Sequence, residues 1–123
     1  MEFHRVRAAG KAVATVTNAN GRMKIKLPEG FAGLYGIDPA SQVQVLYGTA
    51  NRKSAIKITP DAKGDWKLIK MGKSLHIRIP ELAAKAEFKD VPVKSRKVTG
   101  GVEIELPAPW DLVDGDVVEA EAA

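Results

Sequence analysis

Residues 22–29 read Arg22-Met23-Lys24-Ile25-Lys26-Leu27-Pro28-Glu29, and fifty-two positions later residues 74–81 read Ser74-Leu75-His76-Ile77-Arg78-Ile79-Pro80-Glu81. In both runs apolar and polar side chains alternate with a period of two, the pattern of a strand with one buried and one open face. Met23, Ile25 and Leu27 share a face in the first; Leu75, Ile77 and Ile79 share a face in the second. Each run stops at a proline, which cannot donate to a ladder and whose ring suits the first turn of a helix. A unit written twice that cannot bury its apolar face alone finds a partner in its copy. The expected architecture is therefore an intramolecular pseudo-dimer.

Working outward, residues 11–17 are rich in Val, Thr and Ala, and the turn cluster Asn18-Ala19-Asn20-Gly21 joins them to the first run as a hairpin. Gly30, Gly33 and Gly36 keep any helix across residues 29–35 short. Ile37-Asp38-Pro39 then turns the chain into strands at 42–47 and 54–59. After the connection 60–65 the order repeats, with a strand at 66–71, the turn Gly72-Lys73, a strand at 74–79, a helix at 81–87, and strands at 91–97 and 102–106. Val43, Val45, Ile56 and Ile58 recur as Val91, Val93, Ile104 and Leu106, now forty-eight residues on. The second connection is four residues shorter, a change that loop-closure entropy absorbs easily. Trp66, in a strand pattern, is expected in the core. Asp114-Gly115-Asp116 is read as a turn before a last strand at 117–120.

At 123 residues the chain is one domain long, so the repeats, 11–60 and 66–107, must share a single core, followed by an acidic C-terminal segment, 108–123. No stretch approaches the length of a membrane span, the opening Met-Glu-Phe-His-Arg-Val-Arg lacks the apolar run of a signal peptide, and there is no cysteine. A cytoplasmic protein without membrane contact is the expectation. The net charge of +4 conceals an asymmetry: residues 1–98 hold nineteen basic and eight acidic side chains, a charge of +11, whereas 99–123 hold seven acids and no Lys or Arg. A basic body suggests a polyanion-binding face, and the acidic segment either offsets it or meets another partner.

The order Gly21-Arg22-x-x-Ile25-x-Leu27-Pro28, Leu34-Tyr35-Gly36-Ile37, then a Val-x-Val and an Ile-x-Ile strand, resembles the AbrB/SpoVT swapped-hairpin DNA-binding family. The second copy, Lys70-Met71-Gly72-Lys73-Ser74-Leu75-His76-Ile77-Arg78-Ile79-Pro80, is similar to the MazE type of that family, with Lys73 where the family has Asn. The resemblance implies a mainly β fold. Its form would be a small swapped-hairpin β-barrel built of two tandem β-β-α-β-β repeats, with one or two short helices, the chain being a monomeric pseudo-dimer or a homodimer. It also implies double-stranded DNA as the partner and transcriptional regulation as the function. Carried over from the family, Arg22, Lys70, Lys73 and Arg78 occupy or neighbour DNA-contacting positions.

Charge placement points the same way. Side chains on one strand face recur roughly every 6–7 Å, close to the spacing of phosphates along a nucleic-acid strand. Arg22, Lys24 and Lys26 would form one basic row, and Ser74, His76 and Arg78 a second. The alternative is a protein-interaction module, an antitoxin-like or phage-derived adaptor, in which Trp110, Asp111, Asp114 and Asp116 grip a basic partner. Catalysis is not expected and no cofactor is implied: His4 and His76 are the only histidines, no nucleophile elbow or phosphate loop is present, and Asp114-Gly115-Asp116 lacks the length of a calcium loop.

Overall fold

Ten short strands and little helix make up the described part of the chain, residues 1–3, 13–37, 42–50 and 53–113 of a computed structural model. The strands are β1 (Thr15–Ala19), β2 (Arg22–Leu27), β3 (Gln42–Ala50), β4 (Lys53–Pro60), β5 (Trp66–Lys67), β6 (Ile69–Met71), β7 (Ser74–Arg78), β8 (Phe88–Pro92), β9 (Ser95–Val98) and β10 (Gly101–Glu105). One α-helix, α1 (Phe31–Tyr35), follows β2, and a 3₁₀ turn (Pro80–Leu82) follows β7. Among the described residues no helix is long and apolar enough to cross a membrane.

The strands form two five-stranded antiparallel sheets, here sheet A, in the order β6-β7-β2-β1-β8, and sheet B, in the order β5-β3-β4-β10-β9. Hairpin chemistry explains two of the turns of sheet A. Asn20 and Gly21, with φ of 54° and 71°, make the two-residue left-handed turn between β1 and β2 that suits strand twist, and Gly72, at 64°, opens the turn between β6 and β7. At the middle of each sheet the register pairs matching positions of the two halves. Ile25 lies opposite Ile77, related by fifty-two residues, and Ile56 lies opposite Ile104, related by forty-eight.

Alternation decides what is buried. Met23, Ile25, Leu27, Leu75 and Ile77 from sheet A, and Val43, Ile56, Ile58, Val102 and Ile104 from sheet B, belong to one apolar cluster with Phe31 of α1. Both halves therefore fill one core, which is what a chain of this size requires.

Four expectations are corrected. The sheets do not close into a barrel among the described residues. At two corners the chain itself passes from one sheet to the other while the ladder stops. Lys67 pairs with Gln42 in sheet B, and after Leu68 Ile69 pairs with His76 in sheet A, so the strand expected at 66–71 is two short pieces. At the other corner Val93 N–H donates to Ala14 O, whereas Lys94 O accepts from Glu105 N–H, just after Pro92, which has no N–H to continue a ladder. Here too the strand expected at 91–97 is divided, into β8 and β9.

The fourth correction concerns the helix expected at 81–87, which shrinks to the 3₁₀ turn. Long-range bonds take the backbone groups a helix would use. Asn18 Nδ2 donates to Ala84 O at 2.8 Å and to Ala86 O at 2.6 Å, and Ala84 N–H donates to Asn18 Oδ1 at 3.2 Å. Lys85 N–H donates to Asp111 O and Val113 N–H to Ala83 O. Asn18 is almost fully buried, so its amide is the anchor of this segment rather than a turn residue. Asn18→Ala is expected to destabilise the fold by roughly 2–4 kcal/mol, because three backbone groups lose their partner. Urea unfolding measures this; an unchanged midpoint would mean that the Leu112 bridge to Ala84 suffices to hold the segment.

The expected strand at 117–120 and the Asp114-Gly115-Asp116 turn lie outside the described residues, as does most of the turn at Ile37-Asp38-Pro39.

Candidate nucleic-acid interface

The outer face of sheet A carries a contiguous group of basic residues on β2 and β7. β2 and β7 lie side by side, so Lys24 is directly opposite Arg78 and Lys26 directly opposite His76. The four form a block two strands wide and two rows long. Arg22 continues the β2 row toward the Asn20-Gly21 turn, and Lys73 stands in the turn that begins β7, at the opposite end of the pair. Because β2 and β7 are antiparallel, their turns point away from one another. The cations from Arg22 to Lys73 thus mark out a stripe roughly 20–25 Å long.

Like charges directly opposite one another destabilise a sheet, and neither β2 nor β7 carries an acid to offset them. Asp90 on β8 is the only acid in the five strands of sheet A. It is engaged beyond β1, where Thr17 Oγ1 donates to Asp90 Oδ1 at 3.1 Å and Asp90 N–H donates back to Thr17 Oγ1 at 3.1 Å. Sheet B behaves differently. Glu103 on β10 stands opposite Lys57 on one side and Arg96 on the other, and Arg96 Nε donates to Glu103 Oε2 at 2.6 Å. This is the one ion pair among the described residues. Sheet B thus sets Glu103 and Glu105 among its outward cations, whereas the β2–β7 pair of sheet A has no acid among its own.

His76 sits within the positive block and is only 7% exposed. Its Nδ1 is buried without a hydrogen-bond partner. Burial holds the imidazole below its ordinary value of 6.5, and Lys24, Lys26 and Arg78 push in the same direction. The strand periodicity placed His76 on this face correctly but gave no sign that it would be covered.

The flanks of the stripe are unlike. On the β6 side, Ile69 lies opposite His76 and Met71 opposite Ser74, and both apolar side chains are exposed, at 43% and 47%. On the β1 side the neighbours are Thr15, opposite Lys26, and Thr17, opposite Lys24. Nothing in the sequence marks this pair as exposed, because Ile and Met in a strand pattern suggest core.

Other candidate residues fall elsewhere. Lys70 pairs with Leu75 and so shares the inward-facing side of β6, away from the stripe, although it is exposed at the sheet edge. Trp110 is a core residue, not a surface anchor: it is 5% exposed, its Nε1 donates to Leu82 O at 3.0 Å, and its ring stacks on Phe88 with centroids 5.5 Å apart. Asp111 is exposed, and its carbonyl accepts from Lys85. Asp114 and Asp116 lie outside the described residues. Trp66 is half-buried against the core, on the β5 edge.

No protein-family model, curated protein or solved structure matches this chain.

Proposed function

We propose that the protein binds duplex DNA through the outer face of sheet A and acts as a small transcriptional regulator, its two halves being fused, diverged hairpin units of the AbrB/MazE type. The observation that carries this is the direct opposition of Lys24 and Arg78 on two adjacent strands that contain no acid. A solvated surface has no need of that arrangement, which costs stability, whereas a phosphate backbone between the strands offsets it. The pairing of Ile25 with Ile77 and of Ile56 with Ile104 supports the fused-pair element, since a two-fold relation between halves puts equivalent residues opposite each other.

The flanks suggest what the target is like. With Ile69 and Met71 on one side and two threonines on the other, the halves present different chemistry, and the preferred site is less palindromic than a true homodimer requires.

Fluorescence anisotropy with genomic duplex fragments at several salt concentrations tests the proposal. If Arg22, Lys24, Lys26, Lys73 and Arg78 each meet a phosphate, log affinity falls with log salt with a slope of about −4 to −5. Absence of binding at low salt, or binding indifferent to salt, refutes it.

A further inference from the structure

We propose that His76, with Lys24, Lys26 and Arg78 around it, forms a phosphate site that takes up a proton from solvent when a phosphodiester is seated there. The inference rests on the DNA-binding reading for the source of the phosphate, but not for the site itself.

The geometry has two independent parts. His76 Nδ1 is buried and unpartnered in a side chain more than nine-tenths covered, and an orphaned polar atom of this kind calls for an explanation. Lys26 lies directly across on β2, and Lys24 and Arg78 complete the block. From β6 the facing residue is Ile69, which brings no charge. Among the described residues, then, every charged group facing the imidazole is a cation.

In the unbound protein that setting favours the neutral ring. Folded His76 resists protonation more than unfolded His76 does, so its contribution to stability is present above 6.5 and is lost as the pH falls toward the lowered folded value. A phosphodiester reverses the local sign. Its negative charge offsets the three cations, and its oxygens only accept hydrogen bonds, whereas a protonated imidazole donates from both nitrogens. Binding therefore pulls the proton onto His76, and by linkage acid strengthens binding. Lys24, Lys26 and Arg78, on long flexible stems, can close on the same anion.

The test measures affinity for a mixed-sequence duplex between pH 5.5 and 8.0 at constant ionic strength, for the intact chain and for His76→Gln. Wild-type affinity is expected to rise several-fold as pH falls, with up to one proton taken up per site, and the His76→Gln profile to be flat. A matched pH dependence in the two proteins overturns the proposal. The second measurement needs no variant: the His76 ring is titrated by NMR with and without inorganic phosphate, using His4→Gln to assign the signals. A His76 titration raised by phosphate supports the site, and an unmoved one overturns it. If no duplex binds at any pH, the DNA reading fails, and the phosphate titration alone then decides whether the site exists.

Discussion

Replacing Lys24 and Arg78 together by glutamine is expected to weaken duplex binding roughly 50–100-fold near 0.1 M salt, since each phosphate contact carries about 0.9 of a log unit per tenfold change in salt. The salt slope should fall by about two, from about −4 to −5 to about −2 to −3. The fold, in contrast, should be no less stable and up to about 1 kcal/mol more stable, because two like charges no longer face each other across β2 and β7. The opposite signs make the experiment decisive. If these cations served the fold by shielding a sheet face or covering apolar surface with their stems, the double variant would lose stability. If they serve binding, it loses affinity alone. Arg96→Gln is the matched control: on sheet B it faces Glu103, and its loss should leave duplex binding almost untouched.

The difference between the two outer faces also shows what the sequence could and could not reveal. Alternation in residues 22–27 and 74–78 put Met23, Ile25, Leu27, Leu75 and Ile77 inward and Arg22, Lys24, Lys26 and Arg78 outward, and the structure agrees at each. Period two is a local property of an extended chain, so it is legible without knowing what the strand packs against. Register is not local. That Lys24 meets Arg78, while Lys57 meets Glu103, depends on pairing between segments about fifty residues apart, and no periodicity encodes it. The face of Lys70 is not legible for the same reason: its motif position is local, but its face depends on which residue of β7 it joins.

The expected helix at 81–87 fails on another account. Residues 81–87, Glu-Leu-Ala-Ala-Lys-Ala-Glu, have high helix propensity, and the proline before them suits a helix start. Propensity is worth only tenths of a kcal/mol per residue, whereas the Asn18 amide and the 111–113 backbone offer the segment buried, long-range hydrogen bonds. Tertiary bonding prevails. Its chief donor, Asn18, lay in a cluster whose composition pointed to a turn, and the chain does turn there, but two residues later, at Asn20-Gly21.

The same region governs the acidic segment. Trp110→Ala is expected to cost about 3–5 kcal/mol, the range for deleting a buried aromatic side chain. Trp110→Phe should cost less, about 1–2 kcal/mol, because the stack on Phe88 survives while Leu82 O loses its donor. Urea unfolding of the two variants separates packing from hydrogen bonding; equal losses would mean that the N–H bond, not the stack, holds the residue. Trp110 also determines where the segment can be cut to test it as an internal competitor for the basic stripe. Removal of residues 108–123 takes away Trp110 and the 111–113 backbone that bonds Ala83 and Lys85, so that protein should unfold at lower urea and say nothing about competition. Removal of 114–123 leaves those contacts in place and deletes Asp114, Asp116, Glu119 and Glu121. Its urea midpoint should match that of the full chain, and its affinity for non-specific duplex should rise several-fold at low salt, the gain fading as salt screens the charges. A folded truncation with unchanged affinity would remove the acidic segment from any role at the stripe.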